Sequence, residues 1–459
     1  MSSLERALSY HTQQRAAFKE ALFDLLRIPS ISTDPAHAAD VRAAAEWVKT
    51  HAIACGMNAT MIETAGHPAV YAETPPVAGR PTVLVYGHYD VQPPDPLDLW
   101  DSPPFEPVEK HGNIYARGAC DDKGQMFMHL KAVESWMKSA GAPPVNVKFL
   151  IEGEEESGSA HLPALLKQEQ ARLAADVVLV SDTALFGSGE PSITTGLRGL
   201  AYCEVTLTGP NRDLHSGVYG GGVDNPANAL ARLIAQLHDE THRITIPGFY
   251  EDVLDLSEEE RDTYQRLPFD EQAYQDALAI GATRTEEGYS ILEATTARPT
   301  LDVNGIWGGY TGAGAKTVLP SKASAKISMR LVPNQTPEKA AALLEAWFKA
   351  HVPPTMKLSF TALHGGHPAL VDLNAPALRA AAQAMEDSFG KAPYLVREGG
   401  SIPVVADFKH ILGLDTVLLG FGLNSDAIHS PNEHFGLDRF HLGIETSIRF
   451  MARLAEDAA

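Results

Sequence analysis

The 459-residue chain is poor in cysteine, in long apolar runs and in positive charge. Its three cysteines, Cys55, Cys120 and Cys203, are scattered, and no Cys-x-x-Cys pair occurs. An odd, isolated set points away from a disulfide framework and from a thiolate zinc site, and fits a reducing compartment. No apolar stretch approaches the roughly 18 residues of a membrane span. The stretch Met1 to Arg27 reads as a charged amphipathic helix without the apolar core of a signal peptide, so the expected location is cytoplasmic. Lys and Arg number 37 against 58 Asp and Glu, a formal net charge of −21. Nucleic acid and anionic membrane both want a basic face and are not expected partners. The glycine run Gly220-Gly221-Gly222 lacks the lysine that would make it a phosphate loop, and no repeat or low-complexity tract is visible.

What is present is a pattern of short apolar strands alternating with helices. Helical spacing runs through Ser2–Leu26, Ala39–Ala54, Asp122–Lys138 and Leu162–Arg172. Between them lie β-like runs at Ala59–Glu63, Ala69–Glu73, Val83–Tyr86, Val145–Ile151 and Val177–Val180. That alternation predicts an α/β fold with a mainly parallel sheet. The character changes near Gly196. Strands at Tyr202–Leu207 and Ser324–Leu331, with helices at Asn225–His238 and Pro337–Lys349, read as a smaller antiparallel α+β unit inserted into the first domain. The acid-rich stretch Glu251–Glu287 reads as surface helices and loops elaborating the insert. The α/β character resumes near Gly365, with a helix at Leu373–Phe389, a strand at Thr416–Leu419 and a final helix at Asp438–Ala455. The expected division is 1–198 and 367–459 for the catalytic domain and 199–366 for the insert.

Three of the apolar strands end in ligand-type side chains. The run Thr82–Tyr86 breaks at Gly87 and continues His88-Tyr89-Asp90-Val91-Gln92-Pro93. His88 and Asp90 lie two apart and face one side of an extended chain. Val145–Ile151 ends in Glu152-Gly153-Glu154-Glu155-Glu156-Ser157-Gly158-Ser159, and Val177–Val180 ends at Ser181-Asp182. Open α/β sheets bind ligands at such strand ends. With Asp121 in Arg117-Gly118-Ala119-Cys120-Asp121-Asp122-Lys123-Gly124 and His429 in His429-Ser430-Pro431-Asn432-Glu433, these side chains form the inventory of a dinuclear metal site. Each motif has a plainer reading: His88 as a packed histidine, Asp121-Asp122 as a helix cap, the glutamates as a solvated loop, Asp182 as a turn residue. Their occurrence together favours the metal site.

In order, these motifs resemble the co-catalytic zinc metallopeptidases of the aminoacylase/carnosinase superfamily, most of all its cytosolic non-specific dipeptidase (carnosinase-like) branch. The resemblance extends through Arg212-Asp213-Leu214-His215-Ser216-Gly217, Ser328-Met329-Arg330-Leu331-Val332-Pro333-Asn334 and Glu398-Gly399-Gly400-Ser401-Ile402-Pro403. It implies a zinc-peptidase catalytic domain with an inserted lid and dimerisation domain, and two divalent ions per subunit, zinc first, manganese or cobalt as alternatives. His88 and Asp182 would bind one ion, Glu156 and His429 the other, with Asp121 bridging. Glu155 would be the general base acting on the bridging water, and Asp90 would orient the His88 ring. The resemblance fixes the register of the three adjacent glutamates, making Glu155 the base, Glu156 the ligand and Glu154 a neighbour. It also implies a cis peptide after Asp121. His215 would reach into the partner subunit's site of a homodimer to stabilise the oxyanion. Arg330 would clamp the substrate's C-terminal carboxylate, with Thr317, Ser401 and His364 lining the pocket.

The implied activity is hydrolysis of dipeptides or very short peptides with a free C-terminus. An N-acyl amino acid amidohydrolase of aminoacylase or desuccinylase type shares the chemistry. A metal-binding scaffold without catalysis is disfavoured, because base, ligands and oxyanion histidine are all present.

Overall fold

The computed structural model describes residues 1–457. The chain divides into two compact units. One comprises Met1–Thr195, Val371–Val396 and the chain from Asp407 onward; the other comprises Gly196–Leu370 and Arg397–Ala406. The expected boundary at 366 thus falls a few residues early. The second unit also takes back a ten-residue excursion, Arg397–Ala406, that was expected in the first.

The first unit is built on a mixed sheet. Four neighbouring strands, Asn146–Glu152, β3 (Thr82–His88), Val177–Val180 and Thr416–Leu418, are parallel. β1 (Asn58–Ile62) and β2 (Ala69–Glu73) extend it antiparallel from Asn146–Glu152. The central strands are Val- and Leu-rich and buried on both faces, as parallel strands covered by helices must be. Helices α1 (Ser3–Leu26) and α2 (Ala38–Ala54) come first, and α3 (Lys123–Ala140) packs with α1 and the last helix, Leu437–Asp457. α3 lies so deep that even Lys123, Gln125, His129 and Lys131 are buried.

β3 does not stop at Gly87 but runs through it to His88. Gly87 is there because α3 approaches closely: a Cβ would lie 2.8 Å from Met126 and from Asp122 Oδ2. The pairing puts His88 level with Glu152, and Tyr86 level with Val180, so three strand ends meet at one edge. The Asp121–Asp122 peptide is cis.

The second unit is a four-stranded antiparallel sheet in the order Thr300–Gly308, Lys322–Leu331, Gly199–Thr208, Lys357–Gly366. Along Gly199–Thr208, Ala201, Cys203, Val205 and Leu207 are buried while the alternate residues stay partly open. The buried set packs with helices Pro226–Ala235 and Pro337–His351 in one apolar core. The two outer strands were not expected from sequence. The acid-rich stretch holds two short helices, Glu258–Arg266 and Glu271–Leu278. Among the described residues no helix is long and apolar enough to cross a membrane, and all three cysteines are free and buried.

Candidate metal centre

The strand edge of the first unit gathers two triads that share one carboxylate. His88, Asp121 and Asp182 place one ligand atom each within 4.8 Å of one another, and so do Asp121, Glu156 and His429. Asp121 divides its oxygens between them: Oδ1 lies 3.1 Å from His88 Nε2 and Oδ2 2.9 Å from His429 Nε2. His429 Nε2 is also 3.2 Å from Glu156 Oε2. The five residues assigned as ligands from sequence therefore come together.

The hydrogen bonds favour a cation here. His88 is fully buried, and its Nδ1 donates to the Asp90 carbonyl oxygen at 3.1 Å. Its Nε2 then faces a second acceptor, Asp121. A ring between two acceptors needs either a second proton or a metal ion on Nε2. Without metal, burial alone would lower the His88 pKa, but Asp121 and Asp90 hold it well above the ordinary value. Asp121, then Glu156, push His429 up to about 10. Burial, then the Asp121 charge, drives Asp182 well above the usual carboxylate range. One imidazole and two carboxylates per position suit zinc, and also manganese or cobalt, so the donor set fits two divalent ions.

Asp90 acts on both triads. Its Oδ1 lies 3.3 Å from His88 Nδ1, and its Oδ2 accepts from the Glu156 N–H at 3.1 Å. Of the three glutamates, Glu154 is engaged by His161 at 2.9 Å and Glu156 points at His429. Glu155 belongs to neither triad. It opens a short turn, Glu155–Ser157, and burial pushes its carboxyl up to about 7 against the pull of His88.

Two residues of the quoted motifs had gone unassigned. Gln92 Nε2 donates to Glu156 Oε2 at 2.8 Å, which fixes that ligand's orientation. Its signal was the same two-residue alternation that pairs His88 with Asp90. Glu433 is fully buried and accepts from the loop that carries Asp121. A third group of metal-ligand type, His51, Cys55 and Glu134, also lies within 4.8 Å. It encloses an ammonium instead: Lys131 Nζ donates to His51 Nε2 at 2.7 Å and to Glu134 Oε2 at 2.8 Å.

The remaining expected residues lie in the second unit, in two places. His215 is exposed on the short strand Leu214–His215, which pairs with Val318–Leu319 and brings Thr317 beside it, its carbonyl accepting from the Ser216 N–H at 3.1 Å. Arg330 Nη1 donates to Ser401 Oγ at 2.9 Å, and Ser401 Oγ donates to the Arg198 carbonyl at 2.5 Å. His364 is exposed and rests on Tyr202, ring centroids 5.0 Å apart. It shares the sheet face of Arg330, since Arg330 pairs with Leu200 and His364 with Tyr202, two residues along the same strand.

Residues 84–453 match the model of peptidase family M20/M25/M40. The chain belongs to this family. It is 32% identical to the Cys-Gly metallodipeptidase dug1 of Schizosaccharomyces pombe, over 99% of this chain and 98% of that protein. It is 33% identical to the Beta-Ala-His dipeptidase of Homo sapiens, over 85% of this chain and 78% of that protein. Among solved structures it is similar to the M20 family metallo-carboxypeptidase Sso-CP2 of Sulfolobus solfataricus, with a TM-score of 0.84 and 34% identity over 96% of this chain and 99% of that one.

Proposed function

We propose that this protein hydrolyses the peptide bond of dipeptides or very short peptides with a free C-terminal carboxylate, using two divalent metal ions. The observation that carries the reading is the pair of triads sharing Asp121, set beside a carboxylate, Glu155, that neither triad uses. His88, Asp121 and Asp182, and Asp121, Glu156 and His429, would hold two ions, which would supply a water of lowered pKa and polarise the scissile carbonyl. Glu155 takes the proton of the attacking water and delivers it to the leaving amine. Asp90 and Gln92 hold His88 and Glu156 in register.

Arg330 would receive the substrate carboxylate. Its neighbour Arg198 is pushed down to about 10, by burial first and by the Arg330 charge second. A carboxylate placed between two such guanidinium groups relieves their repulsion, which supports an anion site here. Ser401, His364 and Thr317 complete the proposed substrate surface. We also infer a cytoplasmic homodimer in which His215 serves the partner subunit's oxyanion. The dipeptidase names of the relatives support the substrate class. Zinc is the proposed metal, with manganese or cobalt competing.

A second reading, removal of C-terminal residues from longer peptides, is favoured by the likeness to Sso-CP2. A substrate panel on metal-reconstituted protein decides. Dipeptides such as Cys-Gly and β-Ala-His, a blocked tetrapeptide, and N-acetyl and N-succinyl amino acids are compared by kcat/KM. Turnover confined to acylated amino acids sinks the dipeptidase reading; preference for the tetrapeptide favours the carboxypeptidase.

A further inference from the structure

Asp121 and His429 are 308 positions apart in the chain, yet one carboxylate oxygen and one ring nitrogen must stand 2.9 Å apart. The structure assigns that task to Glu433: we propose that it is a positioning residue which locks the Asp121 loop to the His429 segment and so sets the spacing of the two metal positions. The inference rests on the two-metal reading above.

Glu433 lies four residues after His429 and has no exposed surface. Both of its oxygens are doubly occupied, and every donor comes from one short loop. Oε1 accepts from the backbone N–H groups of Cys120 and Asp121 at 3.0 and 3.1 Å. Oε2 accepts from the Gly118 N–H at 3.0 Å and from Arg117 Nη1 at 2.6 Å. The Glu433 carbonyl also accepts from the Ala116 N–H at 3.2 Å, closing the same connection through the backbone. A carboxylate that holds three backbone donors within four residues, Gly118, Cys120 and Asp121, fixes the loop's path and not merely one side chain. One of those donors is the N–H of the bridging residue itself. On the other side, His429 and Asn432 both adopt left-handed backbone, with φ of 60° and 63°, so the link from ligand to anchor is tightly turned. Asn432 adds a second tie, accepting from the Asp101 N–H at 2.8 Å.

Glu433 has no surface open to a substrate. What it controls is whether Asp121 Oδ2 and the His429 ring reach a common ion. Residues that orient metal ligands typically change affinity 10- to 100-fold when replaced. Glutamine is the discriminating substitution, because an amide has one acceptor oxygen and its NH2 group would face two donors.

The test uses the full-length protein, loaded with zinc, as wild type, E433Q and the charge-balanced R117Q/E433Q. Zinc per chain is measured by elemental analysis after gel filtration, zinc affinity by competition with a chelator, and folding by circular dichroism. The expected result is two ions per wild-type chain and, in both variants, one ion weakened at least 10-fold. The kcat should fall in parallel while KM changes less than about threefold. The double variant removes the unpaired arginine, so it should melt closer to wild type than E433Q while its second ion stays weak. Recovery of both ions in the double variant overturns the inference, because Glu433 would then serve only to balance Arg117. Wild-type zinc affinity and kcat in E433Q overturn it too, and if E433Q does not fold the double variant alone decides. A wild-type chain holding fewer than two ions overturns the two-metal reading, and this inference with it.

Discussion

Replacing Glu155 by glutamine separates proton transfer from metal binding. Both triads are complete without Glu155, so E155Q should keep its full metal content. The amide matches the carboxylate in shape, so the turn Glu155–Ser157 should persist. What disappears is the only function the mechanism gives this side chain: taking a proton from water and handing it to the leaving amine. General acid–base groups contribute about 10²- to 10⁴-fold, or ~3–5 kcal/mol of barrier. The expected kcat therefore lies about a thousandfold below wild type, with KM within a few fold. Elemental analysis and steady-state kinetics on the same sample supply both numbers. Activity within tenfold of wild type would refute the assignment of the base. Loss of one ion would refute it differently, by making Glu155 a ligand.

R330M should raise KM for dipeptides about 30-fold, the equivalent of ~2 kcal/mol for a lost charge-assisted bond, and leave the turnover of a C-terminally amidated dipeptide unchanged; equal loss on both substrates would remove Arg330 from carboxylate binding. H215A should lower kcat about 10²- to 10³-fold with metal content intact. If His215 acts across the dimer, mixing inactive E155Q and H215A chains should restore about a quarter of wild-type activity, because half of the sites in half of the dimers are then complete; no recovery after subunit exchange would place His215 in its own subunit's site. Burial lowers the pKa of His129 to about 3, below its ordinary 6.5. The unfolded chain therefore takes up a proton that the folded chain refuses, and stability present above pH 6.5 falls as pH drops, by about 2 kcal/mol at pH 5 from this residue. Urea unfolding of wild type and H129Q at pH 7 and pH 5 checks the sign: the variant should lose less on acidification.

Three of the five candidate metal ligands follow segments with a strong local signature, whereas Asp121 and His429 lie in loops and rested on the family resemblance. His88 and Asp182 end buried β-rich runs, and the glutamate cluster ends another. Parallel pairing, expected from the strand–helix alternation, brings such ends to one edge. The outer strands Thr300–Gly308 and Lys357–Gly366 were missed for the opposite reason. They are exposed along most of their length, so burial imposes no alternation on their residues. The excursion Arg397–Ala406 was missed because its ties, side-chain bonds and one backbone bond from the Arg198 N–H to the Gly400 carbonyl, reach partners distant in the chain. Arg397 reaches Glu260 at 2.6 Å and Arg198 reaches the Gly399 carbonyl at 3.1 Å. No periodicity announces such bonds.

Glu433 shows where local reading ends in the site itself. Its sequence neighbours, Asn432 and His434, are polar, and nothing local marks it as fully buried. Three of its four donors are main-chain N–H groups more than 300 positions away, which carry no residue identity to read; the fourth is the Arg117 side chain. A ligand declares itself by its chemistry, but the group that sets the distance between two ligands need only present acceptors to a backbone. A dinuclear centre depends on that distance more than a single-ion site does, because one carboxylate must serve both positions. For this chain, spacing is enforced at residue 433 and chemistry at residues 88 to 182 and 429. Substitutions that alter metal content without altering any ligand should therefore concentrate in the Arg117–Cys120 loop and in the segment that holds it.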